Sequence, residues 1–123
     1  MIEQLLKIEN ERRKIFLDLV QKSFPEAEVE GIPIPQMNNP DGWEIAIKVN
    51  RPNYRSIIIR PRRPLMTDTN IFALPIFVEG IQEAKKHLSN PPLKGADFQG
   101  TILLNNKGVE NFIKGEKADP VYL

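Results

Sequence analysis

A chain of 123 residues, 41% apolar and 27% charged, has the make-up of one ordinary globular domain able to bury its own core; lacking cysteine, it excludes disulfide staples, thiolate catalysis, thiolate zinc sites and cysteine-bound iron–sulfur clusters. The formal charge of +1 hides a polarity. Lys48, Arg51, Arg55, Arg60, Arg62 and Arg63 stand between Glu44 and Asp68 with no carboxylate among them, which leaves eleven of the 17 basic residues to face all 16 acidic ones.

Ile2 to Phe24 reads as a long helix, because Ile2, Leu5, Ile8, Ile15, Phe16, Leu19 and Val20 recur at steps of three and four. Glu9 stands four residues before Arg13, the favourable order for a helical ion pair, and Pro25 ends the element. At ~1.5 Å per residue the helix is about as long as the domain is wide, so part of it is expected to project or to meet a partner.

Glu26 to Glu30 alternates charged and apolar residues as a half-exposed strand does, and Gly31 is expected to interrupt its register. Ile32-Pro33-Ile34-Pro35 belongs at a sheet edge or in a polyproline segment, since neither proline can donate to a ladder. Asn38 to Gly42 is a turn. Trp43 to Val49 is the clearest strand, with Trp43, Ile45, Ile47 and Val49 on a core face and Glu44, Ala46 and Lys48 on the other.

After a connection at Asn50 to Asn53, Tyr54 to Arg60 returns as a strand rich in isoleucine and stopped by Pro61 and Pro64. A mostly polar loop then leads to a second helix with Pro75 in its first turn and Phe77, Ile81, Ala84 and Leu88 as its apolar stripe, closed by Asn90-Pro91-Pro92. Phe98 to Leu104 reads as a further strand, Asn105-Asn106 as the cap of a short last helix over Val109 to Lys114, and residues 116–123 as a tail. The whole implies a single α+β domain over residues 1–123: an antiparallel meander with a long N-terminal helix and a second helix packed on one face. The order of an opening helix, a meander and a proline-punctuated segment also resembles, in topology, the ubiquitin-conjugating architecture; without a cysteine that resemblance implies a binding-only relative.

The basic hairpin is the first candidate site. Arginine forks suit phosphate and carboxylate groups, and the Tyr54 ring beside Arg55 offers a stacking platform. Alternation puts Arg60 and Arg62 on one side, with Lys48 facing them from the neighbouring strand, unless the acidic strand Glu26, Glu28, Glu30 lies alongside and neutralises them. Pro61-Arg62-Arg63-Pro64 matches a P-x-x-P pattern, which prolines acting as strand stops explain. Ile71-Phe72-Ala73-Leu74 either forms an apolar patch rimmed by Arg62, Arg63 and Asp68 or packs beneath its own loop.

Elsewhere the chemistry is sparse. His87, the only histidine, follows Lys85 and Lys86 at a helix end, as a surface histidine does. Glu26, Glu28, Glu30, Asp41, Glu44, Asp68, Asp97 and Asp119 have no loop-like ligand spacing, so no metal site is expected. Gly95, Gly100 and Gly108 are too scattered for a phosphate loop, and no cofactor is expected. The longest apolar run, Ile71 to Val78, is broken by Pro75 and far too short to span a bilayer, and the start lacks a basic, apolar leader, so a cytoplasmic location is expected.

These readings converge on a non-catalytic interaction or regulatory module. It would bind another protein, or a second copy of itself as a homodimer, through Lys48, Arg51, Tyr54, Arg55, Arg60, Arg62, Arg63 and Phe72. Nucleic-acid association through the same arginines is the first alternative, and an enzyme with dispersed carboxylate or histidine chemistry the second.

Overall fold

A parallel pair of strands organises the molecule. The computed structural model describes residues 2–33, 42–49, 56–88 and 98–114. In chain order these form α1 (Ile2–Ser23), β1 (Ala27–Pro33), β2 (Trp43–Val49), β3 (Ser56–Pro61), α2 (Arg63–Thr67), α3 (Ala73–Leu88), β4 (Phe98–Asn105) and β5 (Gly108–Lys114). The five strands make one sheet in the order β1-β2-β3-β4-β5, antiparallel throughout except that β3 and β4 run parallel. The fold is therefore α+β with a mostly antiparallel sheet, as expected, but the meander stops at β3. Parallel neighbours cannot be joined by a hairpin, and here the crossover carries α2 and α3.

Core and open faces follow from the alternation. Trp43, Ile45 and Ile47 of β2, Ile57 and Ile59 of β3, and Ile102 and Leu104 of β4 are buried with Phe16 and Val20 of α1, Leu65 and Met66 of α2, and Phe77, Ile81, Ala84 and Leu88 of α3. Phe16 and Phe77 stack with centroids 4.4 Å apart, which ties α1 to α3 and contributes about 0.5–1.5 kcal/mol beyond the area buried. One helical turn after another the two helices keep step: Phe24 lies beside Lys85 as Phe16 lies beside Phe77, so they run in the same direction with Arg12 level with Ala73. The first ten residues of α1 accordingly precede the start of α3.

α1 is clamped from residue 9 onward. Glu9 is buried and bonds Arg13, whose guanidinium lies 5.5 Å from the centre of the Trp43 ring, and Arg12 donates to the Leu65 carbonyl at 2.7 Å. The helix closes where Phe24 N–H still reaches Val20, and Pro25 prevents continuation. β1 runs through Gly31 to Pro33 in unbroken register with β2, so Gly31 does not interrupt it; its α-carbon lies against the Trp43 indole, where a side chain would collide. As an edge strand it tolerates Pro33 at its end.

Two sequence expectations are corrected. Part of the polar loop after Pro64 is α2, whose Leu65 and Met66 point inward and whose Pro64 fits the first turn. The expected last helix, Val109 to Lys114, is β5. The register with β4 shifts so that Leu103 faces Asn111 and Leu104 faces Val109, leaving Glu110 between them as a bulge. The bulge turns a two-residue alternation into the three-residue step Val109 to Phe112, which imitates a helix. Asn105 is not a helix cap; its side chain accepts the Lys107 N–H at 2.8 Å and closes the hairpin. The turn at Asn38 to Asp41, the hairpin tip at 50–55, the helix stop at Asn90-Pro91-Pro92 and the tail lie outside the described residues.

Gly100 locks β4 to β5. It sits at φ +153°, and a Cβ there would run into the Ile113 carbonyl oxygen and lie 2.6 Å from the Phe112 ring. Gly100→Ala should therefore lower stability by about 1–3 kcal/mol, read as a reduced urea midpoint with an unchanged slope. A midpoint equal to that of the wild type would show that the close approach is not maintained.

Candidate protein-interaction surface

The basic residues are largely committed within the chain. Glu44 and Arg60 face each other across β2 and β3 and pair at 2.9 Å, with the glutamate side chain only 14% exposed. Arg62, just past β3, donates its N–H to the Leu104 carbonyl at 2.7 Å and its guanidinium to Glu110 at 3.0 Å. Lys48 is exposed and stands opposite Glu28 of β1. The register places Ile45 beside Ile59 and Ile47 beside Ile57, so Lys48 lies at the far end of β2 from Arg60 and does not face it. The acidic strand does lie alongside β2, as one reading of the sequence proposed. Arg63 is exposed, and Arg51, Tyr54 and Arg55 lie outside the described residues.

The apolar segment behaves differently. Phe72 is 73% exposed while Ala73 is buried and Ile71 packs against the core as α3 begins, so the segment divides between the two readings, with Phe72 open to solvent. Leu74 and Val78, one turn apart on α3, are exposed too. On α1, Leu5 and Leu6 are 45% and 52% exposed and Ile15 is exposed as well. Leu6 lies on the helix stripe that Phe16 and Val20 continue into the core, and it is open because it precedes the start of α3. Among the described residues, the large apolar side chains that reach solvent thus gather on the helical layer, with Ile113 of β5 the one outside it.

Asp68, which the sequence offered only as an unassigned carboxylate, holds this segment in place. Its Oδ1 accepts the Asn70 N–H at 2.9 Å, an Asx turn, and its Oδ2 accepts from the Asn106 amide at 3.3 Å, joining the loop before Phe72 to the β4–β5 hairpin. The short spacing Asp68-x-Asn70 is the local signal that marks it. These bonds, Asn70 first and Asn106 next, with the more distant Arg12 charge, pull the Asp68 carboxyl below its usual value.

His87 donates its Nε2–H to the Glu83 carboxylate at 3.1 Å and stacks on Phe112 with centroids 3.6 Å apart, a packed position at the end of α3. Among the described residues no group of three or more His, Asp or Glu side chains is placed to hold a metal ion, and no helix is long and apolar enough to cross a membrane. Comparison with protein-family models, with curated proteins and with solved structures gave no match.

Asp68 makes a pH-dependent contribution. Its folded-state pKa lies below that of the unfolded chain, so the stabilisation is complete above the ordinary aspartate value near ~3.9 and is lost as pH falls through the folded value. Asp68→Asn should lower the urea midpoint at pH 7, and the gap from the wild type should narrow as the pH falls below the ordinary aspartate value and through the folded one. A gap that persists unchanged in acid would remove the carboxylate from this role.

Proposed function

We propose that this protein is a small non-catalytic interaction module whose contact surface for another protein is the apolar outer side of its helical layer, centred on Phe72. The observation that carries this is the exposure of Phe72 on a turn pinned by Asp68, with Leu74 and Val78 continuing the patch along α3. An aromatic held outward on an ordered turn costs solvent-exposed apolar area in the free protein, and a partner that covers it recovers that area with little further ordering. The basic hairpin takes a smaller part than its charge suggests, because Arg60 and Arg62 are already paired to Glu44 and Glu110.

A photoreactive residue introduced at Val78 should give a discrete cross-linked adduct in extracts of the source cells, and Phe72→Asp should abolish it while leaving the far-UV spectrum and melting temperature in place. An adduct that survives Phe72→Asp would overturn the assignment of the surface.

The nucleic-acid alternative leans on Arg51, Tyr54 and Arg55 together with the exposed Arg63. Fluorescence anisotropy with mixed-sequence single- and double-stranded nucleic acid separates the two readings. The protein-binding reading expects no salt-sensitive association at low ionic strength. Tight binding that falls steeply with salt and is lost on Arg51, Arg55 and Arg63 to Ser would replace it.

A further inference from the structure

The helical layer carries, besides its apolar residues, a charge pattern with a symmetry of its own. Glu3, Lys7, Glu11, Lys14, Asp18 and Lys22 alternate in sign along α1, and every one of them is exposed. At 3.6 residues per turn they fall within an arc of about 100° on the side of the helix turned away from Phe16 and Val20. Their steps of four, four, three, four and four read the same from either end. The midpoint of the series lies between Arg12 and Arg13.

We propose that the partner of the helical layer is a second copy of this chain, with α1 antiparallel to its counterpart about a two-fold axis at the level of Arg12 and Arg13. This rests on the reading that the layer is the contact surface, and it names what covers it. In that arrangement Glu3 stands opposite the partner's Lys22, Lys7 opposite the partner's Asp18, and Glu11 opposite the partner's Lys14, and each pair recurs by symmetry. Parallel, in-register pairing would set each charge against its own kind, so the pattern selects the antiparallel direction. Lys22 already reaches Asp18 within its own chain at 2.9 Å, but both side chains remain mostly exposed and can be shared across the axis.

The same axis accounts for the apolar patch. Because Phe16 is level with Phe77 and Phe24 with Lys85, the midpoint of α1 is level with Ala73 and Leu74. In the proposed dimer Phe72 and Leu74 of both copies stand at the level of the axis, with charged pairs of α1 before and after that level. Exposed ion pairs add little affinity one by one, so here they fix direction and register while the apolar cluster supplies the burial. The sheet edges offer a poorer route. β1 presents the exposed Glu28 and Glu30 and ends in Pro33, and on β5 the Phe112 N–H is taken by Asn111 and the Val109 N–H by Glu79.

The test is sedimentation equilibrium of the whole chain over a concentration series from about 1 to 200 μM, which brackets the affinities of weak and moderate homodimers. A dimer is expected. Lys7→Glu and Asp18→Lys should each weaken it about tenfold or more by opposing like charges twice across the axis, and the double variant Lys7→Glu/Asp18→Lys should recover most of the loss. Phe72→Asp should abolish it, and thermal melts establish that each variant is folded. A chain that stays monomeric throughout, a dimer indifferent to both single reversals, or a double variant no better than the singles overturns the proposal. A monomer that still yields the Phe72-dependent cross-link overturns the second copy alone, whereas loss of both dimer and adduct removes the contact surface as well.

Discussion

The parallel step from β3 to β4 is the constraint on which the rest of the structure depends. Antiparallel neighbours need only a turn, but a parallel pair obliges the chain to return to the starting end of the sheet, and the return here is made by α2 and α3 over one face. Once α3 covers β3, β4 and β5, the exposed apolar edges of β1 and β2 leave α1 a single berth beside it. Phe16 stacked on Phe77 and Arg13 over Trp43 occupy that berth from the two sides. The helices therefore share one layer, and apolar side chains too many for the layer's inner surface come out on its outer one.

Electrostatics on the sheet follows from the same register. The block of basic residues that dominates the sequence is dispersed by folding: Arg60 goes to Glu44, at the block's own boundary, and Arg62 goes to the bulged Glu110 some fifty positions later in the chain. The Glu44–Arg60 pair is partly sheltered, so its members are held by mutual need more than by any large net gain; removing one would strand the other. A run of like charges in sequence thus says little about surface potential until the strands beside it are known.

How far the sequence could be read depended on whether the signal was local. Trp43 to Val49 alternates cleanly because each inward residue meets helices and each outward one does not, and the strand has those bounds. α1 and α3 were equally legible from their three- and four-residue spacing and from Pro25 and Pro75. β5 was not, because its bulge depends on how β4 lies against it, and Asn105, which reads locally as a helix cap, closes the hairpin instead. The same holds for the site. Phe72 was visible as an apolar residue in a polar neighbourhood, but that it faces out while Ala73 faces in depends on how the start of α3 meets the core. The placing of Lys48 beside Arg60 failed for want of a register between β2 and β3, which isoleucines facing isoleucines decide.

The length of α1 is the last point that the packing leaves unbalanced. Covering α3 and the sheet requires the helix from about Arg12 to Ser23, the stretch fastened by Arg12 to Leu65, by Arg13 to Trp43 and by Phe16 to Phe77. The turns before Glu9 precede the start of α3, yet they keep Leu5 and Leu6 in the helical apolar pattern with about half of each side chain in water. An isolated stretch of two turns is marginal as a helix. Those turns continue the helix that the clamped segment nucleates. The exposure of Phe72, Leu74 and Val78, set against the internal pairing of Arg60 and Arg62, is a physical reason to regard the helical layer, and not the basic hairpin, as the face this protein turns to a partner.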